Sequence, residues 1–346
     1  MLLLEKKTLV ALSVIIVILI IVAVVAIYLT QPKAPTETGT TTSPTQAGYY
    51  IKMPSGSPTG TYYPALTAIA SVVSKYNPDI VAVAIPGGGS ASNCRSVGSG
   101  EYPISLSTSM VAYFAYTSTG PFEGESYPDL RAVGPAHPLV ISFIVKADSD
   151  IKTIYDLEGK RIAIGEAGSG DAVAAEVLLK EAGIWDKVVK VNVGDPESWN
   201  MLKVGTVDAA IHHTVAGNPN LYEISTSTPI RLVEIPDDLA EKLVSKYPYF
   251  MGYVVKAGTY NGMDEDVKVV ANPSIIITNA DVPEDLVYRF IKTYWEHFDE
   301  VVQAASFLST VDRENPLGGI SIPLHPGAYK YWQEVGVQVP ENLKPP

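Results

Sequence analysis

The sequence is poor in cysteine and in basic residues. It has a single cysteine, Cys94, in 346 residues, which excludes an intramolecular disulfide and a zinc site built from several thiolates. Its 25 Lys and Arg are outnumbered by 37 Asp and Glu, and the formal net charge is −12. Nucleic-acid binding relies on clustered cations that displace counterions, so this charge balance argues against DNA and RNA as partners.

The sequence also lacks familiar catalytic motifs, with no G-x-S-x-G elbow, no G-x-x-x-x-G-K-[ST] loop and no H-E-x-x-H helix. His212 and His213 resemble a metal pair, but neighbours on a strand point to opposite faces and cannot easily share one ion. The run Gly168-Ser-Gly170 opens a predicted helix as a dinucleotide fingerprint does, yet Val173 replaces the third small residue. We therefore predict no enzyme activity, no metal and no cofactor, and interpret Cys94 as a buried core residue.

A long apolar run is present near the N-terminus. Residues 9–29 contain no charged side chain, and at 1.5 Å per residue they match a hydrocarbon core about 30 Å thick. Lys6 and Lys7 precede this run while only Lys33 follows closely, which favours a cytoplasmic N-terminus. We predict a cytoplasmic tip and transmembrane anchor over residues 1–30, with the rest of the chain on the extracytoplasmic side of the cell membrane. A cleaved signal peptide is the alternative, although no A-x-A-like site is found.

Residues 31–48 form a Thr/Pro-rich segment with almost no large apolar side chain. Such a segment cannot bury enough surface to offset the entropy of ordering, so it is predicted as a flexible stalk.

From residue 49 onward, β-rich runs alternate with helical ones, which indicates an α/β fold with largely parallel strands. The predicted strands are 49–53, 80–85, 104–107, 139–146, 161–165, 188–193, 207–212, 230–235 and 274–278. The predicted helices are 64–76, 91–97, 110–116, 171–182, 198–204, 237–246 and a long one from 281 to about 305. Two such blocks need connecting segments, for which 139–146 and 253–278 are the candidates.

Four loops rich in Gly, Ser and Thr lie between a predicted strand and the helix after it: 54–63, 86–93, 107–109 and 166–171. Free amides and the positive end of the following helix favour an anion at such places. The loops contain no Lys or Arg at the expected contact points, which suits a small carboxylate. We expect Gly168-Ser169-Gly170 to hold it; the alternative is that these residues only form turns and helix caps.

The order of several short motifs resembles the TAXI family, the substrate-binding proteins of TRAP-type secondary transporters. The motifs are GSPTGTYYP at 56–64, GGSASNCR at 88–95, SGE at 99–101, ADSDIKTIYDLEGKR at 147–161, GSG at 168–170, KYPY at 246–249 and PLHPGA at 323–328. The resemblance covers about residues 49–336. Members usually carry a cleaved signal peptide, so the apparent anchor is a departure, as is the His212-His213-Thr214 run.

The resemblance implies a two-lobed type II periplasmic-binding-protein fold with a hinge, in which residues 49–147 and 259–346 form lobe I and 148–258 form lobe II. It implies capture of a small organic anion, glutamate-like or a dicarboxylate, and delivery to a TRAP permease. An ABC importer component and a transferase of similar fold are the alternatives. The ligand-binding residues would be Thr59, Gly60, Thr61, Tyr62, Tyr63, Ser90, Asn93, Ser107, Thr108, Ser109, Gly168, Ser169, Gly170 and His213.

Overall fold

The computed structural model of the protein describes residues 48–346. The predicted anchor at 1–30 lies outside the described residues, and so does the predicted stalk at 31–48 apart from Gly48. Within 48–346, no helix is both long enough and apolar enough to cross a bilayer.

Strands and helices alternate along the chain, which confirms the α/β class. The strands are β1 (Tyr49–Pro54), β2 (Ile80–Ile85), β3 (Ile104–Thr108), β4 (Leu130–Lys146), β5 (Arg161–Ala163), β6 (Val189–Val191), β7 (Ala209–Thr214), β8 (Ile230–Leu232), β9 (Met251–Val255) and β10 (Val267–Asn279). The helices are α1 (Tyr62–Tyr76), α2 (Ser90–Gly98), α3 (Ser109–Thr117), α4 (Gly170–Glu181), α5 (Glu197–Val204), α6 (Pro219–Ser227), α7 (Asp237–Lys246), α8 (Glu284–Glu296), α9 (Phe298–Ala304) and α10 (Pro326–Glu334).

The strands form one two-stranded sheet, β1–β2, and a larger sheet in the order β3-β10-β4-β7-β5-β6, with β8 on β4 and β9 on β10. The long strands β4 and β10 organise the larger sheet. The first twelve residues of β4 pair with β10, and its last seven pair with β7 and β8. In β10, the start pairs with β9 and the end with β3. These two strands therefore connect the elements of both sequence blocks.

The prediction of largely parallel strands is wrong. Parallel pairing occurs at β1–β2, β5–β6 and β5–β7, whereas β4 and β10 are antiparallel to each other and to the other strands that pair with them. The alternation of strands and helices predicts crossover connections locally. It gives no indication that two long strands pass in opposite directions between the blocks.

Helix α1 shows how the sequence pattern forms the core. The predicted apolar face is confirmed at Leu66, Ile69, Val72 and Val73, which are all buried. A large aliphatic side chain contributes about 1.5–3 kcal/mol when fully buried. Tyr76, the last residue predicted on that face, is instead exposed, and its ring stacks on that of His297 with centroids 3.5 Å apart.

Candidate functional site

A cavity of about 350 Å³ opens where the loops at the ends of β1, β2, β3, β5, β6 and β7 meet. We divide its lining into two walls. The neutral wall consists of Gly56, Ser57, Thr59, Gly60, Thr61, Tyr62, Gly87, Gly88, Gly89, Ser90, Thr108 and Leu139. The acidic wall consists of Glu166, Ser169, Gly170, Asp171, Gly194, Asp195, His213 and Thr214. The neutral wall comes from the block before residue 148 and the acidic wall from the block after it.

Glycine is required at two positions of the neutral wall. Gly89 has φ +80°, a left-handed conformation that side chains with a Cβ rarely adopt. A Cβ on Gly87 would lie 2.8 Å from the carbonyl oxygen of Ser55 and 2.9 Å from its nitrogen. The loop therefore packs directly against the end of β1, where the backbone N–H of Gly89 donates to the carbonyl oxygen of Ser55 at 3.1 Å and that of Gly87 to the carbonyl oxygen of Gly56 at 3.3 Å.

Ser90 is the centre of the hydrogen bonding in the neutral wall. Its Oγ accepts from the backbone N–H of Thr108 at 3.2 Å and bonds the phenol of Tyr62 at 3.0 Å. Burial raises the pKa of Tyr62 well above its usual range, so the phenol stays protonated and can donate. These bonds tie the starts of α1, α2 and α3 together into one rigid surface.

A buried histidine lies directly behind the neutral wall. His137 Nε2 is 3.0 Å from Thr61 Oγ1, and the side chain is 1% exposed. Desolvation, aided by the nearby His213, lowers the pKa of His137 to about 3, so its ring is neutral at physiological pH. His137 was not expected at the site, because the part of β4 before residue 139 was not predicted as a strand.

The acidic wall begins at the start of α4. Ser169 is the N-cap of that helix, and its Oγ accepts from the backbone N–H of Ala172 at 3.1 Å. Asp171 lies in the first helical turn. Farther along this wall, Asp195 Oδ1 accepts from the Ser198 hydroxyl at 2.5 Å at the start of α5. Glu166 is an exposed residue at the edge of the wall, beside the backbone of Gly194.

The two walls contact each other at one end of the cavity. A Cβ on Gly170 would lie 3.0 Å from Ser90 Oγ and 3.5 Å from His213 Nδ1, so a larger residue at 170 would push the walls apart. Elsewhere, Asn220 Nδ2 in α6 donates to the carbonyl oxygen of Thr59 at 2.9 Å. This hydrogen bond joins α6, which follows β7 of the acidic wall, to the neutral wall.

Nine of the fourteen residues predicted as ligand-binding line the cavity: Thr59, Gly60, Thr61, Tyr62, Ser90, Thr108, Ser169, Gly170 and His213. The structure places the other five outside the lining. Tyr63 lies half-buried in α1, and Gly168 lines a separate cavity near Arg95. Whether any of these residues contacts a ligand stays a prediction.

The remaining three predicted residues serve the fold around the site. Asn93 Nδ2 donates to the carbonyl oxygen of Leu106 at 2.8 Å. Ser107 Oγ accepts from the Cys94 thiol at 3.2 Å. Ser109 Oγ donates to the carbonyl oxygen of Gly319 at 2.6 Å.

Gly194 and Asp195 line the cavity although they were not predicted as ligand-binding. They follow β6 and precede α5, so they lie in a strand-to-helix loop, as do the four loops that were predicted to bind an anion. Applying that rule to every strand end would have found them. Leu139 and Thr214 belong to strands and offered no such signal.

Cys94 is fully buried, which confirms its interpretation as a core residue. Desolvation raises the pKa of its thiol to about 12, so the reactive thiolate is disfavoured at neutral pH. Among the described residues, no three or more His, Cys, Asp or Glu side chains are grouped to hold a metal ion.

Residues 53–336 match the NMT1-like family. The match spans most of the chain, and the protein therefore belongs to this family.

Among solved structures, the chain is similar to the alkanesulfonate-binding protein SsuA from Xanthomonas axonopodis pv. citri bound to MOPS. The TM-score is 0.45, with 15% identity over 85% of this chain and 81% of that one. A putative L-cystine ABC transporter from Listeria monocytogenes matches at TM-score 0.49, with 12% identity over 76% of this chain and 97% of that one.

Proposed function

We propose that the protein is a solute receptor that captures a small carboxylate in the cavity and delivers it to a membrane transporter, without making or breaking covalent bonds. The observation that carries this proposal is the cavity itself, because its walls come from strand-to-helix loops of two different sequence blocks. Loops of this kind present free amides and helix N-termini, which favour an anionic group. A volume of about 350 Å³ suits a small organic acid.

We infer that the two blocks act as lobes, with 49–147 and 259–346 in lobe I and 148–258 in lobe II. The arrangement of β4 and β10 supports this inference, since these strands connect elements of both blocks. Bending at them would separate the neutral wall from the acidic wall and admit a ligand. Closure would then remove the ligand from water and present a composite surface to the transporter.

For the partner, we propose a TRAP-type permease, supported by the order of the motifs between residues 56 and 328. The substrate-binding component of an ABC importer is the second candidate, because the same receptor design serves both transporter classes. Uptake by membrane vesicles that contain the candidate permease distinguishes them. Transport driven by an ion gradient without ATP supports the TRAP assignment, whereas a strict requirement for ATP hydrolysis contradicts it.

We also propose that residues 1–30 hold the receptor at the extracytoplasmic side of the cell membrane. The uncharged run at 9–29 supports this proposal. The full-length protein should fractionate with membranes, and external protease should release its folded part by cutting within 31–48. A mature soluble chain that starts after residue 26 would contradict the anchor.

The receptor proposal is tested by thermal unfolding of the full-length protein with a panel of small carboxylates, followed by calorimetric titration. A ligand at 100 times its Kd adds about 2.7 kcal/mol to the free energy of unfolding. Gly170→Val should abolish this gain by crowding Ser90. The matched control is Gly252→Val, where a Cβ meets nothing within 4 Å. If no small carboxylate stabilises the wild-type protein, the proposed function is wrong.

A further inference from the structure

A second cavity, of about 360 Å³, lies next to the candidate site. Ser169 and Gly170 line the first cavity, whereas Ala167 and Gly168 of the same loop line the second. The second cavity also lies between the two sequence blocks, because α2 contributes to one side of it and α4, with the residues after β5 and β6, to the other. It is as large as the first cavity, and the proposed receptor function gives it no role.

Much of the lining of the second cavity is apolar. This part of the lining includes Ala91, Pro121, Ile164, Val173 and Trp185. Sites that enclose an organic molecule are typically lined by apolar and aromatic side chains with a few polar groups among them. The lining therefore suits a molecule with an apolar body.

The second cavity differs from the first in its cations. Arg95 and Lys190 line it, whereas no Lys or Arg occurs among the described residues that line the first cavity. The carboxylate of Glu176 also lines the second cavity, but the Lys180 Nζ lies 2.6 Å from its Oε1 and balances its charge. An anionic group is therefore attracted to the second cavity.

Both cations keep hydrogen-bond donors for such a group. Arg95 donates through Nε and Nη2 to the Glu125 carboxylate and the Pro121 carbonyl oxygen, and its Nη1 donates to no described residue. Lys190 Nζ donates to the Trp185 carbonyl oxygen at 2.9 Å and lies 4.4 Å from the centroid of the Trp185 ring. An ammonium has three donors, so Lys190 retains two.

We propose that the second cavity binds an organic acid with an aromatic or aliphatic body, whose carboxylate is held by Arg95 and Lys190 and whose body packs against Ile164 and Trp185. The two cations come from different sequence blocks, so the acid would bridge α2 and β6. This site is separate from the proposed receptor site, and neither proposal depends on the other.

The test titrates the full-length protein with benzoate, phenylacetate and hexanoate, and with the uncharged amide of each acid, by calorimetry and by tryptophan fluorescence. We expect the best acid to bind at least tenfold more tightly than its amide and to change the fluorescence. That change should disappear in Trp185→Phe, although three other tryptophans remain. If none of the acids binds, or if the change persists in Trp185→Phe, the inference is wrong, and the receptor proposal for the first cavity still stands.

Two further variants locate the acid. Lys190→Gln removes an exposed cation and should weaken binding at least tenfold, whereas Lys203→Gln, at an exposed position on α5 outside the lining, should change it less than twofold. Ala172→Leu should also weaken binding at least tenfold, because the larger side chain fills part of the cavity. Unchanged affinity in Lys190→Gln, or an equal loss in Lys203→Gln, would overturn the assignment. Unfolding of each variant without ligand shows whether a loss arises from the fold.

Discussion

The neutral wall and the acidic wall are both made of loops that join a strand to a helix. They differ in which helices have a side chain that caps the first turn. On the acidic wall, the Ser169 hydroxyl caps the first turn of α4, and Asp171 lies in that turn. On the neutral wall, Thr61 bonds His137 and Gly89 has no side chain, so the first turns of α1 and α2 receive no side-chain cap. The walls therefore differ at α1 and α2 but not at α3, where Thr108 caps the helix as Ser169 caps α4. Loop composition alone did not separate them.

The largest effect is expected from Gly87→Ala on the neutral wall. Its Cβ would lie within 3 Å of two backbone atoms of Ser55, which cannot move without shifting the end of β1. We expect at least a tenfold loss of ligand affinity and a loss of about 3 kcal/mol in the free energy of unfolding. Titration and denaturant unfolding measure both, with Gly252→Ala as the control. Unchanged affinity would show that the amides of this loop do not hold the ligand.

The next prediction concerns the buried histidine behind the neutral wall. His137 has a folded-state pKa of about 3, below the value near 6.5 expected in the unfolded chain. On acidification the unfolded state therefore takes up the proton first, and stability is lost as the pH falls from 6.5 towards 3. Between pH 7 and pH 5 this one group should cost about 2 kcal/mol.

His137→Gln tests this prediction, because the amide keeps a polar group beside Thr61 but does not titrate. The free energy of unfolding is measured from pH 7 to pH 5 for both proteins, and the difference between the two curves isolates His137 from the carboxylates. The wild type should lose about 2 kcal/mol more than the variant. Parallel curves would mean that the pKa of His137 is the same in the folded and the unfolded protein.

Short-range patterns allowed much of this fold to be predicted. The 3.6-residue spacing of Leu66, Ile69 and Val73 correctly indicated the buried face of α1. The part of β4 before residue 139 was missed because Gly134, Pro135 and Pro138 interrupt the pattern. In the structure, two bulges opposite β10 accommodate this stretch. Those irregular pairings depend on contacts with a strand more than 130 residues away, which local sequence does not report.

The same limit applies to the site. The glycine-rich loops could be predicted because they lie at strand ends. His137, which lies behind them, and the difference in charge between the two walls could not be predicted. Helix α6 was also missed, since its Ser and Thr residues are poor helix formers. Asn218 begins it by accepting from the backbone N–H groups of Asn220 and Leu221. This helix supplies the side chain that bonds the opposite wall.

Substitution of one serine in each wall compares the two walls directly. Ser90→Ala removes the acceptor for Thr108 and the partner of Tyr62, so we expect about a tenfold loss of affinity. Ser169→Ala removes only a helix cap, so it should cost about 1 kcal/mol of stability and change affinity less than threefold. Calorimetric titration paired with thermal unfolding separates the two effects. A greater affinity loss in Ser169→Ala would return the carboxylate to Gly168–Gly170, as the sequence suggested.

The smallest effect is expected where the walls are joined at the surface. Asn220 Nδ2 donates to the Thr59 carbonyl oxygen at 2.9 Å, and both residues are exposed. A hydrogen bond in contact with water contributes about 0.5–1 kcal/mol, so Asn220→Ala should weaken ligand binding about twofold to fivefold by favouring separated walls. The loss should appear as faster ligand release in stopped-flow measurements, because a less stable closed state opens more often. Asn200→Ala, an exposed change on α5, is the control. An equal effect in that control, or tighter binding by Asn220→Ala, would show that this bond does not hold the walls together.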